Sequence, residues 1–151
     1  MKKLLAIIAA TAITTMAGTA MAATTTANLT VSAFVSEVCT AVKNQDINFG
    51  NLDPVDDPAI TSTATKTGAT RGVINVKCTQ GTLYTLAADA SPTIANVGGD
   101  TIAYTPVVPT AEFTGIVTGT SHTIDASVNK DAYADVPTGA YTGNLTVTVT
   151  Y

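Results

Sequence analysis

"GVINVKCTQGTLYTLAAD", residues 72–89, alternates apolar and polar positions on both sides of a short turn. Successive side chains of a strand point to opposite faces. Ile74, Val76 and Cys78 therefore share one face of the first half, and Tyr84, Leu86 and Ala88 share one face of the second. "TQG" (79–81) between them reads as a hairpin turn. The same period of two returns in "DINFG" (46–50), "TIAYTPVV" (101–108), "HTIDASV" (122–128) and "GAYTGNLTVTVTY" (139–151). "NLDPVDDPA" (51–59) and "SPTIANVGGD" (91–100) carry the Pro, Asp, Asn and Gly that turns demand and read as loops. About seven strands, with turn residues roughly every 8–12 positions and no helical period, predict an all-β antiparallel sandwich.

Outward from Cys78, the one other cysteine is Cys39. Its pairing depends on where the protein resides, and the N-terminus speaks to that. Lys2 and Lys3, the apolar run "LLAIIAATAI" (4–13) and Ala20-Met21-Ala22 compose a secretory signal peptide, residues 1–22. Its core falls short of the roughly 20 apolar residues of a membrane span, and no later stretch repeats it. Export to an oxidising compartment makes a Cys39–Cys78 disulfide the expected state. Closing a loop of about 40 residues contributes on the order of 3–4 kcal/mol in the chain-entropy model. A metal or redox pair lacks both C-x-x-C spacing and a nearby histidine.

The 129 residues that remain fit one domain. They hold five Lys/Arg against eleven Asp/Glu, a formal charge of −6, without a basic cluster. Nucleic acid and anionic membranes are poor partners for such a surface. Catalytic chemistry has little material. His122, the one histidine, lies in a strand-like run and reads as a half-exposed strand residue with no triad signature around it. Asp53, Asp56 and Asp57 lack the spacing and closing Glu of a calcium loop and read as a solvated turn. "NVGGD" follows no strand–helix pattern, so no phosphate cradle is expected. Neither an enzyme, a cofactor nor a bound metal is expected.

Both ends of the mature chain are strand-like. In "NLTVTVTY" the row Leu145, Val147, Val149 and Tyr151 faces one side, and the chain stops there. An uncovered apolar edge recruits other chains. Near the other end, Ala27, Leu29, Val31, Ala33 and Val35 form one apolar row, with Phe34 alone breaking the polar side. One terminus thus offers a spare strand while the other lacks a neighbour, a pairing that propagates head to tail when it runs between subunits. On pattern alone, residues 27–35 serve equally as the first strand of their own sandwich.

Four stretches taken together resemble the spore coat protein U domain family, which includes major subunits of archaic chaperone–usher pili. They are the alternating extension running into "VCTAV", then "INFGNLDP", then "GVINVKCTQGTLYTLAAD", and the closing "PTGAYTGNLTVTVTY". The resemblance implies an incomplete immunoglobulin-like antiparallel β-sandwich, completed by a donor strand from a neighbouring subunit. It divides the chain into a signal peptide (1–22), a donor-strand extension (23–36) and a pilin domain (37–151). Ala27, Leu29, Val31, Ala33 and Val35 match the donor row, and Leu145, Val147, Val149 and Tyr151 the acceptor strand. Cys39 and Cys78 match the family's disulfide. The implied partners are other pilin subunits, a periplasmic chaperone and an outer-membrane usher. The implied role is a fimbrial subunit at the cell surface that supports adhesion and biofilm formation. A monomeric secreted β-sandwich, acting as a binding or coat and matrix protein, is the alternative. Eight Phe and Tyr residues and no Trp give it little from which to build a recognition patch. A secreted hydrolase would require partners gathered around His122.

Overall fold

The computed structural model describes residues 23–56 and 67–151. The residues read as a signal peptide, 1–22, and the segment 57–66 with Asp57 lie outside the described residues. The chain divides into two units between Ala33 and Phe34. In the first, residues 23–33 carry no strand and are exposed throughout. The second, Phe34–Tyr151, holds every strand described.

Nine strands follow in order: β1 Cys39–Gln45, β2 Gly72–Cys78, β3 Leu83–Ala88, β4 Thr93–Ala95, β5 Thr101–Ala103, β6 Thr105–Val107, β7 Phe113–Thr114, β8 Thr120–Ser127 and β9 Val147–Thr150. One sheet runs β1-β2-β8-β6, a second β7-β3-β9, and β4-β5 is a separate hairpin. All pairings are antiparallel. The fold is all-β and open, of the immunoglobulin-like sandwich kind, and a single 3-10 turn at Lys130–Ala132 is the only helical element among the described residues.

Alternation places the core. Val76 and Cys78 on β2 meet Tyr84 and Leu86 on β3 in one buried cluster, the faces read from residues 72–89. Phe49, Ile102, Tyr104, Ala126, Val128 and Tyr133 form a second. Directly opposed in the β1–β2 register, Cys39 and Cys78 are joined by the expected disulfide.

The turn after Cys78 departs from expectation. Gly81 takes φ +87° and Thr82 N–H bonds the Thr79 carbonyl at 3.1 Å, so the turn is tight. It nevertheless carries the chain from one sheet to the other and makes no hairpin. Residues 115–116 occupy the backbone groups that a β2–β3 hairpin would use: Gly81 N–H bonds the Gly115 carbonyl, Gly115 N–H the Thr82 carbonyl and Cys78 N–H the Ile116 carbonyl. Residues 101–108 likewise split in two at Tyr104, β5 pairing with β4 and β6 with β8. Pro106, which has no N–H to give a ladder, sits on the sheet-edge strand β6, where that is tolerated. Residues 91–100 are not all loop, since the three-residue β4 lies within them. The segment 46–50 contributes one bridge, Asn48 to Thr70, and no full strand.

His122 is buried, not half-exposed. It shares the inward row of β8 with Ile124 and Ala126, and its Nε2 lies 2.7 Å from the Tyr84 hydroxyl. The Phe113 ring stands edge-on at 4.3 Å. Burial disfavours the charged imidazolium and lowers the pKa of His122 from its ordinary 6.5. The unfolded chain then binds the proton more readily than the folded one. The resulting stability is complete above about pH 6.5 and is lost as pH falls below that value toward the folded-state pKa. Denaturation midpoints at pH 7.5 and pH 5 are expected to fall further for the wild type than for His122→Gln. Parallel losses in both would remove His122 as the cause.

Candidate functional site

Among the described residues, β1 pairs with β2 alone and β9 with β3 alone, so each presents one unpaired edge. Between them opens a groove of about 1040 Å³. Lys43 and Gln45 of β1 are among its lining residues, as are Leu145 and Val147. Ile74, Ile102 and Ile124 are among the apolar residues lining it. Two phenols also line it, Tyr104 and Tyr133. Burial, assisted by Asp89 for Tyr104 and by Asp53 for Tyr133, raises their pKa above 10.0. Both stay neutral at physiological pH, so neither adds a charge to a lining that mixes these apolar residues with polar ones such as Asn48, Thr70 and Asn144.

The wall from Val136 to Asn144 follows an irregular course fixed by polar contacts. Thr142 and Ala95 exchange two backbone hydrogen bonds, of 2.8 and 2.9 Å. The Tyr141 hydroxyl donates to the Pro137 carbonyl at 2.8 Å and accepts from Asn96 Nδ2 at 3.2 Å. Gly143 is required there, because a Cβ would stand 2.6 Å from the Thr93 carbonyl oxygen. The terminal strand is accordingly shorter than the run 139–151 suggests. Lys43 of β1 pairs with Asp46 at 2.8 Å, both well exposed, and such a pair contributes little. Its charge does blunt a strand edge that would otherwise aggregate.

The acceptor row divides. Leu145 and Val147 are half-buried groove walls, Val149 packs on the cluster containing Leu86, and Tyr151 lies exposed beyond the strand. An inward row on β9 that is only half-covered fits a sheet lacking its next strand.

Of the other row, Leu29 is 85% exposed, Val31 92% and Val35 76%. Ala27 and Ala33 are exposed as well, and residues 23–38 form no strand. Residues 27–35 form no strand here, and the first strand described is β1. Phe34, at 91%, adds to this apolar surface. The groove itself was not foreseen beyond its β9 wall, because its lining is gathered from segments as distant as Phe49, Ile102 and Tyr133.

Asp53 does the work of a turn, its Oδ1 accepting from the N–H groups of Val55 at 2.9 Å and Asp56 at 3.3 Å. Among the described residues no helix is long and apolar enough to cross a membrane. Residues 25–98 match the Spore Coat Protein U domain, a span running from the exposed apolar row through both cysteines to the β4–β5 turn. No curated protein matches the chain.

Proposed function

Because residues 25–98 match the Spore Coat Protein U domain, we propose that the chain is a structural subunit of a surface pilus, polymerising by donor-strand complementation. Residues 27–35 of one subunit fill the groove between β1 and β9 of the next. One observation carries this: a single chain holds an exposed apolar row together with a groove, lined by apolar and polar residues, that is flanked by two unpaired strand edges among the described residues. Each is costly in water, and each supplies what the other lacks.

The binding free energy comes from backbone ladder bonds and from burial of the row. Leu29, Val31 and Val35 contribute roughly 1.5–3 kcal/mol each on full burial, before ordering costs. Leu145 and Val147 receive the strand, with the edges of β1 and β9 as its hydrogen-bonding partners. During export a periplasmic chaperone occupies the groove with a strand of its own, and an outer-membrane usher directs the exchange for the next subunit's extension. The assembled fimbria serves adhesion and biofilm formation, and the subunit has no catalytic task.

A synthetic peptide spanning residues 24–36, added in excess to freshly refolded mature protein, is expected to cap the groove. Polymer growth stops and the monomer's melting midpoint rises with peptide concentration, as a ligand of the folded state requires. The same peptide carrying Val31→Asp is expected to do neither. Equal behaviour of the two peptides would refute the groove as a strand acceptor.

A further inference from the structure

The donor reading leaves one competitor to explain, the subunit's own N-terminal segment. A chain reversal through residues 36–38 would set Val35 opposite Cys39, Ala33 opposite Ala41 and Val31 opposite Lys43. Those β1 residues pair with Cys78, Val76 and Ile74, so the apolar row would turn toward the sandwich interior in the correct alternation. An intramolecular strand has a concentration advantage over one from a second molecule wherever its connecting chain can reach the site.

The structure places an obstacle at that reversal. Thr79 Oγ1 accepts a hydrogen bond from Val38 N–H at 3.2 Å and donates to the Ser36 carbonyl at 2.9 Å. Its own N–H bonds the Val38 carbonyl at 2.9 Å. Ser36–Val38 is thus held as an extension of β1 beyond Cys39, next to the disulfide. The groove reaches β1 at its other end, at Lys43 and Gln45, and a seven-residue strand is about 20 Å long. Three-residue hairpin loops also favour a left-handed residue at the third position, and Val38 is β-branched, the poorest kind for it.

We propose that Thr79 is a directional clamp, a positioning residue that holds Ser36–Val38 extended and so commits the N-terminal segment to another copy of this chain rather than to its own groove. The inference rests on the donor-strand reading. It assigns the Thr79 hydroxyl a role in assembly that is separate from folding, because its backbone bonds to Val38 and Thr82 do not require the side chain.

The test refolds four mature chains over a range of concentrations: wild type, Thr79→Ser, Thr79→Val, and Thr79→Val combined with Val38→Gly. Monomer and polymer are separated by size, and amide exchange is read over residues 27–35 in each. Self-capture does not depend on concentration, whereas insertion into a neighbour does. Wild type and Thr79→Ser are expected to polymerise with 27–35 unprotected in the remaining monomer. Loss of the two hydroxyl bonds shifts release by roughly tenfold or more, so Thr79→Val raises the share of monomer with protected 27–35 by that order, and the double variant raises it further. If all four partition alike while the wild-type polymer protects 27–35, the clamp is refuted and the donor reading stands. If 27–35 is unprotected in every form of the wild type, both are refuted.

Discussion

Val31→Asp is expected to leave the subunit folded and to abolish its capacity to extend a polymer. In the free chain Val31 is 92% exposed and lies in no strand. A surface substitution of that kind changes stability by about 0.5 kcal/mol or less, so the melting midpoint stays near that of wild type. Inserted in a neighbour's groove, as proposed, the same carboxylate would lie against a lining that includes Ile74, Ile102 and Ile124. An unpaired buried charge costs about 3–5 kcal/mol, a loss of roughly two to four orders of magnitude in affinity. Thermal melting and the appearance of heat-resistant oligomers on gels measure the two halves separately. Unfolding of the variant would mean that residue 31 belongs to its own core.

Val147→Asp is expected to produce the reciprocal defect. Val147 is a half-buried groove wall, so the change costs the free fold less than Val149→Asp, which strikes the cluster around Leu86. The variant keeps an intact donor segment and loses its acceptor, whereas Val31→Asp keeps its acceptor and loses its donor. Each alone remains monomeric. Mixed, they are expected to form a heterodimer and to stop there, because the dimer's free groove is the Val147→Asp one and its free segment the Val31→Asp one. Analytical ultracentrifugation of the mixture checks this. Long polymers from the mixture, or no association, would contradict head-to-tail insertion.

Much of this was legible in residues, and the failures have local causes. Alternation alone placed Val76, Cys78, Tyr84 and Leu86 in the core, because a period of two assigns faces whatever the partner strand is. It does not assign the partner. The turn at Thr79–Gly81 looks the same whether it closes a hairpin or crosses between sheets, and the deciding hydrogen bonds come from Gly115 and Ile116, over thirty residues away. Three-residue strands such as β4 and β5 are too short to show a period, and the Asn96–Asp100 contacts that close their hairpin read as ordinary turn composition. His122 stood in the inward row of its strand all along. Its polarity argued for exposure, but Tyr84 supplies the partner that makes burial affordable. The alternating apolar rows at the two ends are legible in the residues alone. The groove is not, because its lining residues meet only in three dimensions.

In the assembled polymer, residues 27–35 of one subunit are expected to lie as a strand between β1 and β9 of another. Electron cryo-microscopy of the assembled polymer measures this directly. The predicted density is a continuous strand in that groove, hydrogen-bonded to both edges, with Leu29, Val31 and Val35 turned toward Ile74, Ile102 and Ile124, and connected through residue 36 to β1 of the adjacent subunit. A groove that is empty in the polymer, or filled by the subunit's own residues 27–35, would contradict it.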